Sequence, residues 1–164
     1  MSVFADLVGQ SEAVDILKSA VVGDGVAMTQ SWLFTGPPGS GRSNAALAFA
    51  TALVCYEGGC GECSSCKTAK YGSHPDVELI RTEGLSIKID EVREIIMRAS
   101  WEPTLSAYRV IVIEDADRLT ESAANALLKA IEEPGMRTVW LLCAPTLADV
   151  LPTIRSRCRH ISLQ

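Results

Sequence analysis

No stretch of this sequence holds the roughly 20 consecutive apolar residues that a helix needs to cross a bilayer. Basic residues are in deficit: 15 Lys and Arg stand against 20 Asp and Glu, a formal net charge of −5, with a sequence pI near 5.0. That balance argues against a surface that wraps duplex DNA through phosphate contacts alone, although local basic clusters remain open. The segment Met1-Ser2-Val3-Phe4-Ala5-Asp6 lacks the basic flank and apolar core of a secretory signal. Internal repeats and low-complexity segments are missing too. A soluble cytoplasmic protein with no membrane partner is the expectation. Without a secretory signal, the six cysteines read as thiols and metal ligands and not as a disulfide framework.

What is there suffices for one domain: 48% hydrophobic residues in a chain of 164 can bury a single core and are too few for two comfortable ones. Ala13, Val14, Leu17, Ala20 and Val21 recur at helical spacing behind a cap candidate at Ser11, and Gly23-Asp24-Gly25 supplies the stop. The apolar run Ser31–Thr35 leads through a Gly/Pro-rich loop into an Ala-rich helix from Arg42 to Val54. A Cys/Gly-rich insertion follows, then a strand at Asp76–Arg81 and a helix with Ile89, Val92, Ile95, Ile96 and Ala99 on one side, closed by Pro103. The β-branched run Arg109–Ile113 ends in acids, a helix spans about Glu121–Glu132 before Pro134-Gly135, and strands are expected at Thr138–Cys143 and Arg159–Leu163. Continuous apolar strands alternating with helices imply an α/β fold, a parallel sheet covered on both faces.

The loop is Gly36-Pro37-Pro38-Gly39-Ser40-Gly41-Arg42-Ser43, which fits the phosphate-binding pattern G-x-x-x-x-G-K-[ST] everywhere except at Arg42. Its glycines let backbone N–H groups approach phosphate oxygens at a helix N-terminus. Ser43 could offer a hydroxyl to Mg²⁺. The missing lysine is a compact ammonium on a flexible stem, whereas arginine is longer, planar and bidentate. Hydrolysis also needs a metal-holding carboxylate on a neighbouring strand, usually with a second to orient water. Glu114-Asp115 stands there; a metal role for Glu114 and a water-polarising role for Asp115 are open, with an aspartate shorter than the expected glutamate. Asp117 is expected to be a plain helix-leading or solvent-facing acid.

Cys55, Cys60, Cys63 and Cys66 form C-x₄-C-x₂-C-x₂-C within twelve residues. Short Cys-x-x-Cys steps let backbone turns aim successive sulfurs at one ion, so a structural zinc site is expected, with an iron–sulfur cluster or a redox dithiol as competing chemistry. Four thiolates would close the shell and leave no position for a catalytic water. Cys143 and Cys158 read as packing residues, and His74 as a turn histidine. Near the end, Arg155, Arg157 and Arg159 alternate around Ser156 and Cys158. This is either a solvated basic edge or a site from which Arg157 reaches a phosphoryl group in a neighbouring subunit.

Asn125-Ala126-Leu127-Leu128-Lys129-Ala130-Ile131-Glu132-Glu133-Pro134 and Ser156-Arg157-Cys158, with the phosphate loop and the four-cysteine insertion upstream, resemble the bacterial DNA polymerase III clamp-loader subunits. The resemblance runs from Leu7-Val8-Gly9-Gln10 to the last residues. It implies a three-layer P-loop NTPase-like domain of the AAA+ type over residues 1–164, a five-stranded parallel sheet and a zinc module at 55–72. It also implies a helical lid and a collar domain after Gln164, so that this chain would be a fragment. Two kinds of member carry the Ser-Arg-Cys turn. The ATPase subunit, gamma/tau, has lysine in the loop and Asp-Glu after the third strand; the delta-prime subunit has a degraded site but keeps the arginine. Arg42, the reversed Glu114-Asp115, and Ala144-Pro145 where an active subunit senses the γ-phosphate favour the delta-prime kind. The resemblance then implies a part of the polymerase holoenzyme without ATPase activity of its own, with Arg157 acting in trans and zinc as structural cofactor, while ATP and Mg²⁺ binding stay open. Gamma/tau and delta subunits would be partners, with the sliding clamp and primed DNA reached through the assembly. An active gamma/tau-like ATPase and a zinc-stabilised binding module are the rival readings.

Overall fold

The computed structural model describes residues 2–22, 29–37, 39–135 and 137–164; the stop signal Gly23-Asp24-Gly25 and loop residue Pro38 lie outside them. Helix α1 (Ser11–Val22) buries Ala13, Val14, Leu17 and Ala20. Ser11 is its first helical residue and not its cap, since the Gln10 carbonyl already accepts from the Val14 N–H. Val21, expected on the buried side, is only half-buried. Strand β1 (Ser31–Thr35) and helix α2 (Arg42–Val54) flank the Gly-rich loop. The insertion, expected to be loop, contains a short helix, α3 (Ser64–Lys70). Then come β2 (Val77–Ile80), α4 (Ile89–Ala99), β3 (Arg109–Ile113), α5 (Glu121–Glu132) and β4 (Thr138–Ala144). A one-turn helix α6 (Pro152–Arg155), missed in the sequence, precedes β5 (Arg159–Ser162).

Among the described residues the five strands form one sheet in the order β2-β3-β4-β1-β5, with every pairing parallel. Strand residues alternate faces, and the alternation sorts the core into two layers. Trp32, Phe34, Val110, Val112, Val139, Leu141, Cys143 and Ile161 pack under α1, α2 and α3. Leu33, Ile111, Ile113, Trp140, Leu142 and Ala144 pack under α4, α5 and α6. The Trp32 and Phe49 rings meet edge to face at 4.9 Å, a favoured aromatic geometry. Helices on both faces make this a three-layer α/β/α domain, as the apolar strands require.

The chain leaves β1 for the far edge strand β2, steps back through β3 and β4, and ends on the other side of β1. The C-terminal ends of β1, β3 and β4 thereby become neighbours at a topological switch point, where ligands sit in open α/β sheets.

Asp76, expected to open the second strand, lies one residue before it and is fully buried. Its carboxylate accepts from the N–H groups of Thr104, Leu105 and Ser106 and from the Ser106 hydroxyl. This pins the 100–108 loop to the base of the sheet. Burial alone would raise the Asp76 pKa, but the four donors outweigh it and hold the carboxyl below its ordinary range. A depressed folded pKa adds stability above the unfolded value and loses it as pH falls through the folded one. Asp76→Asn is expected to cost about 2–3 kcal/mol at neutral pH, because one carboxamide oxygen cannot satisfy the donors that two carboxylate oxygens serve. Denaturant melts at pH 7 and pH 3 should show the gap narrowing in acid; a constant gap would rule out this account.

Candidate functional site

The loop after β1 is shaped by close approach. A Cβ on Gly36 would lie 2.3 Å from Ser40 Oγ and 3.1 Å from the Leu163 carbonyl, so only glycine fits. Gly39 and Gly41 adopt φ of 85° and 84°, a left-handed conformation that glycine takes without a Cβ penalty. Gly41 then leads into α2, whose first N–H groups have no intrahelical acceptors. The Gly36 N–H donates to the Pro145 carbonyl at 3.2 Å, which binds the loop to the end of β4. Gln10 ties in a third segment: its Nε2 donates to the Gln164 carbonyl at 2.8 Å and to the Ser40 carbonyl at 3.4 Å.

Arg42 folds back into this loop. Its Nη1 donates to the Gly36 carbonyl at 2.7 Å, while its Nε and the Ser40 hydroxyl are buried without hydrogen-bond partners. The cradle that would face a phosphate thus holds its own guanidinium. Behind it, Cys143 gives its S–H to the Arg42 carbonyl at 3.9 Å, and burial pushes that thiol up to about 12, so it stays neutral.

The acids at the end of β3 are engaged with the end of β2. Glu114 forms an ion pair with Arg81, and Asp115 accepts from the Thr82 N–H at 3.3 Å. Glu114 raises the Arg81 pKa, chiefly through their hydrogen bond. Arg81 and Thr82 escaped the sequence reading because a motif search scores the acids and not what neutralises them. Asp117 is exposed, as expected. Ala144 is buried, and the Pro145 carbonyl is spent on Gly36.

The four insertion cysteines do come together. Sγ–Sγ distances are 3.8 Å for Cys55–Cys60, 3.7 Å for Cys55–Cys63 and 4.0 Å for Cys60–Cys66, and all four sulfurs lie within 4.8 Å of one another. A thiolate tetrahedron with metal–sulfur bonds of ~2.3 Å has edges of about 3.8 Å. The group therefore fits a tetrahedral metal ion. Backbone N–H groups also point at the sulfurs: Gly61 to Cys66 at 3.3 Å, Cys63 to Cys60 at 3.3 Å and Cys66 to Cys63 at 3.4 Å. Burial would push the Cys55 thiol up, but the N–H groups of Cys60, Gly59 and Glu57 prevail and bring it to about 6; burial pushes Cys66 up. His74 stands apart from this group: it is buried rather than in an open turn, and its Nδ1 accepts from the Asp76 N–H at 2.9 Å.

At the opposite end of the chain, Ser156 ends α6 and places Arg157 beside the C-terminal end of α5. Arg157 forms an ion pair with Glu132 at 3.0 Å. Arg155 reaches the Leu147 carbonyl and Arg159 stacks over Trp32, with Cζ 5.1 Å from the ring centroid. Of the basic edge, two arginines are thus tied inward. Cys158 packs half-buried against the α4/α5 layer, and burial pushes its thiol up to about 12.

A glycine loop between β1 and α2, acids after β3 and a parallel sheet in the order β2-β3-β4-β1-β5 define a P-loop NTPase-like domain of the AAA+ type. The family described as "DNA polymerase III, delta subunit" matches residues 9–164, and the chain belongs to that family. It is 36% identical over 140 residues to the delta-prime subunit of DNA polymerase III from Bacillus subtilis, covering 84% of this chain and 43% of that protein. It is 33% identical over 162 residues to the gamma/tau subunit from Mycobacterium tuberculosis, covering 96% of this chain and 28% of the relative. Among solved structures, a gamma-subunit-related protein of DNA polymerase III from Thermotoga maritima superposes with a TM-score of 0.67 at 24% identity, over 93% of this chain and 46% of the other. That likeness speaks for the fold alone. The chain spans less than half the length of each of these proteins.

Proposed function

We propose that this chain is the nucleotide-binding-type domain of a delta-prime-like clamp-loader subunit that does not hydrolyse ATP itself. It contributes Arg157 in trans to the ATP site of a neighbouring gamma/tau-type subunit, and so helps couple hydrolysis to loading of the sliding clamp on primed DNA. In the whole protein a lid and a collar domain would follow residues 1–164. The observation that carries the reading is the Arg42–Gly36 contact, 2.7 Å long: the group that should reach outward to phosphates closes the loop from within. The pairing of Glu114 with Arg81 supports it, since a metal-binding carboxylate must be free to accept Mg²⁺. The four cysteines hold a structural zinc ion, with no open coordination position and no part in phosphoryl transfer.

The rival, a working ATPase, draws support from the intact glycine framework and from the 33% identity to a gamma/tau subunit over 96% of the chain. Nucleotide binding and turnover measured on one preparation of the full-length protein separate the two. No turnover beyond a no-enzyme blank is expected, whether or not nucleotide binds. Turnover abolished by Gly41→Val or Asp115→Asn would overturn the proposal in favour of the rival.

A further inference from the structure

The guanidinium of Arg157 is held on one side and open on the other. Its Nη1 donates to the Thr153 carbonyl at 3.0 Å and to the Ser156 hydroxyl at 3.4 Å, and its Nη2 sits 3.0 Å from Glu132 Oε1. The Nε–H has no partner among the described residues. The side chain remains 43% exposed and Glu132 40% exposed, so the cluster lies at the surface, where another subunit can meet it.

Two helix ends build this arrangement. Glu132 is the last residue of α5, where Pro134 forbids continuation. The C-terminal end of a helix carries partial negative charge that favours a cation, and the carboxylate adds to it. Arg157 follows directly on Ser156, the cap of α6. Thr153 and Ser156 therefore come with the same turn, whereas Glu132 comes from a different helix and fixes the side chain across the gap.

We infer that Glu132 is a positioning residue for Arg157, orienting its guanidinium so that the free Nε–H faces the phosphates of a neighbour's nucleotide. This rests on the trans reading of Arg157. A planar fork recognises phosphate oxygens only when its plane is correctly set. An arginine on a free side chain must lose its rotamer freedom at every encounter, whereas one held by three acceptors has already lost it. Glu132 as an exposed ion pair contributes little to folding, so its effect should appear in the reaction and not in stability.

The test uses the full-length protein assembled with its ATPase partner subunits, measuring ATP hydrolysis by the complex. Glu132→Ala is expected to lower kcat about tenfold, with KM for ATP changed less than about twofold, because orientation and not ground-state binding is lost. Glu132→Gln, which keeps an acceptor oxygen, should restore most of the rate. In an Arg157→Ala background, Glu132→Ala should have no further effect, whereas a purely structural role would reduce the rate in both backgrounds. If Arg157→Ala itself leaves hydrolysis unchanged, the trans reading fails and this inference with it. If Arg157→Ala is damaging but Glu132→Ala is silent, or equally damaging without Arg157, only the positioning role fails. Melting temperature and subunit assembly of Glu132→Ala, expected to match wild type, guard against a folding defect.

Discussion

Cys60→Ser is expected to abolish stoichiometric zinc and to lower the melting temperature of the domain by about 10 °C or more. The size follows from how little else orders the insertion. Helix α3 has seven residues, below the length at which a helix persists in water unaided. The turn from Cys55 to Cys63 passes through glycines and offers few apolar side chains to the core; of its cysteines Cys55 is buried, while Cys60 and Cys63 are only half-buried. With a metal bound, the four sulfurs are a cross-link between the end of α2 and the start of α3. Without it, up to four thiols must share a space in which every pair lies within 4.8 Å, and nothing replaces the lost bonds. Loss of such a centre belongs to the few mechanisms that destabilise by on the order of 3–5 kcal/mol. Part of this will be spared because Ala69 and Cys66 are still buried against α2. Metal analysis of wild-type protein purified without chelator should give one zinc per chain; iron absorbance, or protein that melts identically with and without chelator, would refute the structural zinc site.

The sequence carried the layout of this fold because each buried strand is a short β-branched or aromatic run between punctuating residues. Ser31–Thr35, Arg42–Val54, Arg109–Ile113 and Glu121–Glu132 appear with the expected limits. The misses have physical causes. Helix α3 is hidden by its polar composition, Ser-Ser-Cys-Lys-Thr-Ala-Lys, and is started by the Cys63 sulfur accepting from the Cys66 N–H rather than by an oxygen cap. Helix α6 is four residues long, too short for any period to show. Asp76 looked like the first residue of a strand; its role as the acceptor for a loop some 30 residues away depends on tertiary contact that no local pattern encodes.

The site divides in the same way. Motif spacing places the loop, the acids, the cysteines and Arg157, because each is a contiguous string read against a chemical requirement. What those groups do to one another lies in pairs that are distant in the chain: Arg81 with Glu114, Gln10 with Ser40 and Gln164, Glu132 with Arg157. The substitution at Arg42 could be seen in the sequence. Its consequence, a guanidinium turned back onto Gly36, needed the loop's three-dimensional path, since an arginine of the same length could as well have extended outward.

Arg157→Ala in the full-length protein is expected to slow ATP hydrolysis by the assembled complex by about 10³-fold, the lower end of what a trans-acting arginine supplies. The domain carrying the substitution should melt within about 1 kcal/mol of wild type, because an ion pair as exposed as Arg157–Glu132 adds little stability. Arg157→Lys should rescue poorly: an ammonium carries the charge but cannot present two parallel N–H donors to phosphate oxygens. Arg42→Ala makes the opposite contrast, since removing a guanidinium that serves only its own loop should leave the rate of the complex nearly unchanged. Single-turnover measurements on the reconstituted loader distinguish the two arginines directly. A large loss at Arg42 with none at Arg157 would reverse the roles assigned here, making this chain's own loop the working site. The expected pattern instead separates the two halves of a phosphoryl-transfer centre between subunits: the nucleotide cradle on a neighbour, and on this chain an arginine set at the surface by the ends of α5 and α6.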